Sequence, residues 1–196
     1  MPGPKLKNPR HLDSPLRRLI LQPEMLFNDV GTKSNETWAD IGCGTGFFAI
    51  PLASRVKKVY ALDINPQMLE RLEQKNKQQL TNIAARLSEE NRVPLDDGSV
   101  DGVLLALVAH ELDRPADYFH EIHRVLTPGG RLVILEFAPG LSFGPPPGHR
   151  LSPQQIDRWT QDAGFRKGRS WNYCLRLLSW RFVKLNCLEY IKDQHR

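Results

Sequence analysis

The stretch Trp38-Ala39-Asp40-Ile41-Gly42-Cys43-Gly44-Thr45-Gly46 constrains this chain of 196 residues more than any other. The residues before the glycines suit a short buried strand, and Phe47-Phe48-Ala49-Ile50-Pro51-Leu52-Ala53 after them is apolar enough to start a packed helix. Strand, glycine turn and helix in that order form the setting in which a backbone hugs a nucleotide-type cofactor. The spacing narrows the choice. A dinucleotide site uses Gly-x-Gly-x-x-Gly and sets a pyrophosphate on the helix N-terminus, whereas this chain has Gly42-x-Gly44-x-Gly46 with Asp40 just before it. An acid at the strand end repels a pyrophosphate and suits a cofactor with a cationic part.

The pattern of buried strands continues downstream. Lys58-Val59-Tyr60-Ala61-Leu62-Asp63 reads as a second strand ending in an acid, and a carboxylate at that distance from the glycine turn can accept from both ribose hydroxyls. Dinucleotide enzymes share that device, so Asp63 supports an adenosine cofactor without choosing its kind. Asn65-Pro66 supplies an N-cap and a first-turn proline for a helix with Met68, Leu69 and Leu72 on one face. Ile83 to Leu87 suits a third strand, and the apolar run Gly102 to Val108 a fourth, buried on both faces. A helix with Phe119, Ile122 and Leu126 on one face ends at Pro128-Gly129-Gly130, which turns into the strand Arg131 to Phe137. Ser152-Pro153 caps a further helix that Ala163-Gly164-Phe165 closes, and two last strands are expected at 166–175 and 178–185.

Asp-Ile-Gly-Cys-Gly-Thr-Gly at 40–46 resembles the signature of the class I S-adenosylmethionine (SAM)-dependent methyltransferases. The subgroup it is most similar to includes the ubiquinone/menaquinone C-methyltransferases, the methyltransferase type 11 domain. A sulfonium with an amino-acid tail has the cationic part that Asp40 suits. The resemblance runs over roughly residues 10 to 185. It implies an α/β Rossmann-like, doubly wound, mostly parallel seven-stranded sheet with a terminal antiparallel strand. It also implies an N-terminal helical segment over 1–30 that covers the cofactor, a methyltransferase domain over 31–196, and methyl transfer from SAM.

The resemblance also implies site residues. Asp40 and the backbone of Gly42, Cys43, Gly44 and Gly46 take the methionine part, and Asp63 with Ile64 the ribose side. Glu89 and Glu90 take the adenine, although Ser88-Glu89-Glu90 stands where similar enzymes carry Gly-Asp-Ala. Leu107 ends the strand that faces the donor. Ala109-His110-Glu111-Leu112 occupies the place of the family's Leu-His-His-Leu beside the transferable methyl, so His110 is a candidate base and Glu111 an acceptor contact. The loop Gly144-Pro145-Pro146-Pro147-Gly148-His149-Arg150 is like one in a small bacterial group. There His149 is a second candidate base and Arg150 a clamp for an anionic acceptor. Each has a plainer reading: His110 packed and hydrogen-bonded, Glu111 as a turn cap, and Arg150 anchoring its loop to a core carboxylate such as Glu136. The Asn/Asp-Pro-Pro-Tyr/Phe tetrapeptide of methyltransferases acting on exocyclic amines does not follow the fourth strand.

Charge and cysteines set the remaining bounds. The net charge of +5 invites an RNA-methylating alternative, but the excess cations cluster near the two ends and no RNA-reading module stands among them. A SAM-binding sensor or scaffold without chemistry is a further alternative, and a dinucleotide oxidoreductase a third. Cys43, Cys174 and Cys187 have no metal-ligand spacing and point to reduced thiols. His120-Glu121-Ile122-His123 lacks the His-Glu-x-x-His spacing of a zinc helix, so no metal is expected. The apolar runs are short for a membrane span, and no secretory signal opens the chain. A cytoplasmic monomer or homodimer acting on a small molecule is expected.

Overall fold

A computed structural model describes residues 14–76, 80–138, 144–178 and 181–194. Two short helices, α1 (Pro15–Leu21) and α2 (Pro23–Val30), precede the strand β1 (Thr37–Ile41). Then follow α3 (Ala49–Ala53), β2 (Lys58–Asp63), α4 (Pro66–Asn76), β3 (Ile83–Leu87) and β4 (Val100–Ala106). The chain continues through α5 (Pro115–Val125), β5 (Leu126–Phe137), α6 (Pro153–Asp162), β6 (Phe165–Leu178) and β7 (Arg181–Lys192). All seven strands join one sheet in the order β3-β2-β1-β4-β5-β7-β6. Pairs from β3 through β5 are parallel, and β7 runs antiparallel to both β5 and β6. This is the Rossmann-like, mostly parallel sheet expected from the sequence.

Side chains that alternate along each strand enter cores on opposite faces of the sheet. Trp38, Leu104, Val133 and Leu135 pack with Leu26, Phe27, Leu52 and Leu72 from α2, α3 and α4. Ala39, Ile41, Val103, Leu105 and Ile134 pack with Phe119, Ile122 and Ile156 from α5 and α6. Burying each large apolar side chain is worth about 1.5–3 kcal/mol, so a sheet covered on both faces carries most of the stabilisation. Trp38 also needs a gap in β4: a Cβ on Gly102 would lie 2.3 Å from its indole ring.

Local signals in the sequence set the helix starts. Asn65 Oδ1 accepts from the Gln67 N–H at 3.0 Å, and Ser152 forms a capping box with Gln155. The Pro128-Gly129-Gly130 turn takes another form than expected. It lies inside β5, as a break in register between the pairs Val100–Leu126 and Gly102–Arg131.

The last strand is longer than its sequence indicated, running to Lys192 rather than 185. Asn186 and Glu189 interrupt the apolar alternation there, yet Cys187, Leu188, Glu189 and Tyr190 are all buried. Ion pairs make the buried acid tolerable. Arg169 Nε lies 2.8 Å from Glu189 Oε2, and Arg131 Nη1 3.7 Å from Glu189 Oε1. The same two arginines donate to the Val30 carbonyl that ends α2, which fastens the N-terminal helices to the sheet.

Candidate functional site

Strand order reverses between β1 and β4, and in open α/β sheets ligands bind outside the carboxyl ends of the strands at such a point. A cavity of about 460 Å3 opens there. Its wall takes in the glycine loop after β1, Asp63 and Ile64 at the end of β2, Ser88 to Glu90 after β3, and Ala106 to Val108 after β4.

Loop geometry explains why the glycines are needed. Gly42 has φ of 68°, and a Cβ there would sit 2.5 Å from Val108 Cγ2. The turn is held by a carboxylate from the neighbouring strand: Asp63 Oδ2 accepts from the Gly44 N–H at 2.8 Å, and Oδ1 from the Asn65 N–H at 2.9 Å. Each oxygen keeps a second lone pair for a ligand hydroxyl. Burial holds the Asp63 carboxyl above its ordinary range, against the pull of those backbone hydrogen bonds. Leu107, after β4, has φ of 61°, a conformation that bulky residues avoid. Its N–H donates to the Leu135 carbonyl at 2.7 Å, and the residue lines the cavity.

Of the sequence-derived cofactor residues, Gly42, Cys43, Gly44, Asp63, Ile64, Glu89, Glu90 and Leu107 line this cavity. Asp40 and Gly46 stand behind the wall. Gly46 serves packing, since a Cβ there would meet Leu72 at 3.0 Å and Ile50 at 3.2 Å. Asp40 is 1% exposed and its Oδ2 has no hydrogen-bond partner among the described residues. Burial, and then the charge of Asp63, push its carboxyl up to about 8, while the Ala49 N–H and the Arg17 charge pull it down. The Cys43 thiol is buried beside these acids and held well above its ordinary range, as befits a packed rather than a reactive group.

The candidate acceptor residues separate. Glu111 lines the cavity mouth. His110 does not line it: the imidazole turns inward, with Nδ1 2.9 Å from both oxygens of the buried Glu136 and Nε2 3.5 Å from Glu111 Oε1. Burial alone would lower its pKa, but the hydrogen bonds and charges of Glu111 and Glu136 outweigh this and push it up to about 9. The ring is packed and hydrogen-bonded between two carboxylates rather than open to the cavity. His149 is exposed in a short turn and Arg150 Nε donates to the Pro145 carbonyl at 2.9 Å; neither lines the cavity. Glu136, named from sequence as the anchor for Arg150, holds His110 instead.

Sequence reading missed several cavity residues, among them Arg17, Phe47, Met68, Asp113 and Tyr118. Tyr118 carried no separate signal, because it shares the buried stripe of α5 with Phe119 and Ile122. Burial pushes its hydroxyl up to about 12. On α5, Glu121 pairs with Arg124 at 2.8 Å, and the His123 ring packs edge-on against Phe165.

Although the chain as a whole carries +5, the charged side chains lining the cavity among the described residues are Asp63, Glu89, Glu90, Glu111, Asp113 and one cation, Arg17. Such a wall repels a pyrophosphate and accommodates a sulfonium or an ammonium group. Fold and site together define a Rossmann-like protein with a crevice for a cationic adenosine cofactor.

Comparison with known proteins agrees. A family model described as "Methyltransferase domain" matches residues 39–134. The solved structure of a SAM-dependent methyltransferase from Aquifex aeolicus superposes with a TM-score of 0.82 at 30% identity, covering 94% of this chain and 98% of that one. This chain belongs to the SAM-dependent methyltransferases. A demethylmenaquinone methyltransferase of Deinococcus radiodurans is 39% identical over 105 residues, 53% of this chain and 44% of that protein. An uncharacterized methyltransferase of Mycobacterium tuberculosis is 43% identical over 96 residues, 49% of this chain and 37% of that protein. The chain thus spans less than half the length of these curated relatives.

Proposed function

We propose that this chain transfers a methyl group from SAM to a small-molecule acceptor in the cytoplasm. The observation that carries the reading is the acid-lined cavity at the carboxyl ends of β1, β2, β3 and β4, with the glycine loop in its wall. The Gly42–Gly44 backbone would hold the methionine part, Asp63 the ribose hydroxyls, and Glu89 with Glu90 the adenine side, and the N-terminal segment, which contributes Arg17 to the wall, would cover them. Bound SAM supplies an activated methyl group on a sulfonium. The protein's share is orientation, worth about 7–11 kcal/mol in favourable systems, and exclusion of water. Glu111, in the cavity lining, would accept a proton from an acceptor hydroxyl or amine. His110, itself charged, fixes Glu111 and does not compete for that proton.

Two observations favour a small molecule over RNA. The name of the Deinococcus radiodurans relative gives it a quinone precursor as acceptor. Here Arg124, Arg131, Lys167 and Arg169 pair with carboxylates of the same chain and offer little free charge to phosphates. The test is incubation with methyl-tritiated SAM and, in parallel, demethylated quinones, other small phenols and amines, and total tRNA. Label in the small-molecule fraction supports the reading; label confined to precipitated RNA rejects it.

A further inference from the structure

Glu136, near the end of β5, is 1% exposed and does not line the cavity. Its carboxylate nevertheless joins two segments that flank the cavity. His110 Nδ1 lies 2.9 Å from both of its oxygens, the His110 backbone N–H donates to Oε2 at 3.3 Å, and the Phe137 N–H donates to Oε1 at 2.9 Å. One buried acid thus ties the turn after β4 to the end of β5. The Phe137 ring meets the imidazole edge-on, with centroids 5.9 Å apart. On the far side of the imidazole, Nε2 stands 3.5 Å from Glu111 Oε1, and Glu111 lines the cavity.

An imidazolium donates from both ring nitrogens, whereas a neutral imidazole has a single N–H. Only the charged ring can therefore serve Glu136 and Glu111 at once. Burial favours the neutral ring, and the hydrogen bonds and charges of Glu111 and Glu136 outweigh it. Glu111 in turn faces Asp63 at the end of β2, and like charges drive one of two carboxyls toward its neutral form. A cation beside Glu111 opposes that drift and preserves its capacity to take a proton. We propose that Glu136 is a positioning residue for methyl transfer, which by way of His110 holds the Glu111 carboxylate in place and ionised for the acceptor's proton. The inference rests on the reading that Glu111 accepts that proton from a small molecule bound in this cavity. Without the Glu136 charge, His110 gives up a proton at lower pH, one ring nitrogen becomes an acceptor, and the hold on Glu111 is lost.

The experiment follows label from methyl-tritiated SAM into a pool of demethylated quinones, small phenols and amines between about pH 6 and 9. It compares the full chain with its Glu136→Gln, Glu136→Asp and Glu111→Gln variants and with the double variant Glu111→Gln/Glu136→Gln, and S-adenosylhomocysteine affinity is measured alongside. The expected result at pH 8 is a rate about 10- to 100-fold lower in Glu136→Gln, with cofactor affinity unchanged within about twofold. That deficit closes as pH falls toward 6 and the ring regains its charge, and Glu136→Asp recovers part of the rate. The double variant is no slower than Glu111→Gln alone, because Glu136 acts only through Glu111. An unchanged rate, a loss independent of pH, or losses that multiply in the double variant overturn the role of Glu136 and leave the small-molecule reading intact. If Glu136→Gln fails to bind S-adenosylhomocysteine, His110→Gln, which cuts the same connection, replaces it in the double-variant comparison. No labelled small molecule from the wild type overturns that reading and the role of Glu136 with it.

Discussion

Asp40→Asn separates the electrostatics of the empty site from its shape. Asp40 is 1% exposed, one of its oxygens is unpartnered among the described residues, and its carboxyl is pushed up to about 8 by burial and by Asp63. In the unfolded chain it titrates near 3.8. Between these values the native protein keeps a proton that the unfolded chain releases. This contribution to stability is therefore fully present below about pH 4, declines as pH rises toward 8, and stays level above. The slope is at most about 1.4 kcal/mol per pH unit, and the full span of the shift corresponds to about 6 kcal/mol. Asparagine has no proton to release. Urea unfolding of the ligand-free protein at intervals from pH 5 to 9 measures the effect. The stability of Asp40→Asn relative to wild type should climb with pH by several kcal/mol and flatten above pH 8, whatever constant offset the amide introduces. Parallel curves would show that Asp40 is ionised in the empty site at neutral pH and would refute the reasoning.

Three further perturbations probe neighbouring parts of the site. Asp63→Ala removes the acceptor of the Gly44 and Asn65 N–H groups together with the proposed ribose contact. It should weaken S-adenosylhomocysteine at least about 10-fold by calorimetry; unchanged affinity would take Asp63 out of the site. Gly42→Ala sets a Cβ 2.5 Å from Val108 in a backbone at φ 68°. A cost of about 1–3 kcal/mol in denaturant unfolding and loss of cofactor binding are expected, and wild-type behaviour in both would show that the loop is not held as described. Glu136→Gln leaves His110 without its buried carboxylate at 2.9 Å. Since the pKa of about 9 is raised by the glutamates, stability from this pair is present below the ordinary histidine value and lost as pH rises through about 9. Imidazole NMR should find His110 charged at pH 8 in the wild type and titrating at lower pH in the variant. A wild-type His110 that is neutral at pH 8 contradicts the assignment.

The parallel part of the sheet was legible because its strands, apart from the half-exposed edge strand β3, are apolar runs closed by an acid, a glycine or a turn. A sheet buried on both faces demands that pattern. The glycine loop and Asp63 were legible for a related reason: a backbone close to a ligand tolerates few residue types. What the sequence hid was set by contacts distant along the chain. The last strand was expected to stop at 185, short of the buried Glu189, because the arginines that neutralise that acid, Arg131 and Arg169, come from other strands. His110 looked open to an acceptor because Glu136, which with Glu111 raises its pKa and turns the ring inward, is 26 residues away. Tyr118 and Arg17 were indistinguishable from an ordinary helix stripe and an ordinary basic cluster until the fold brought them to the cavity.

The central claim is that the acid-lined cavity is built for the tail-bearing cationic adenosine cofactor of this family. Calorimetric titration of the purified chain with S-adenosylhomocysteine, with NADH as the control, tests it most directly. Micromolar binding of S-adenosylhomocysteine with none of NADH is the predicted result. Binding of NADH alone, or of neither compound, would contradict it.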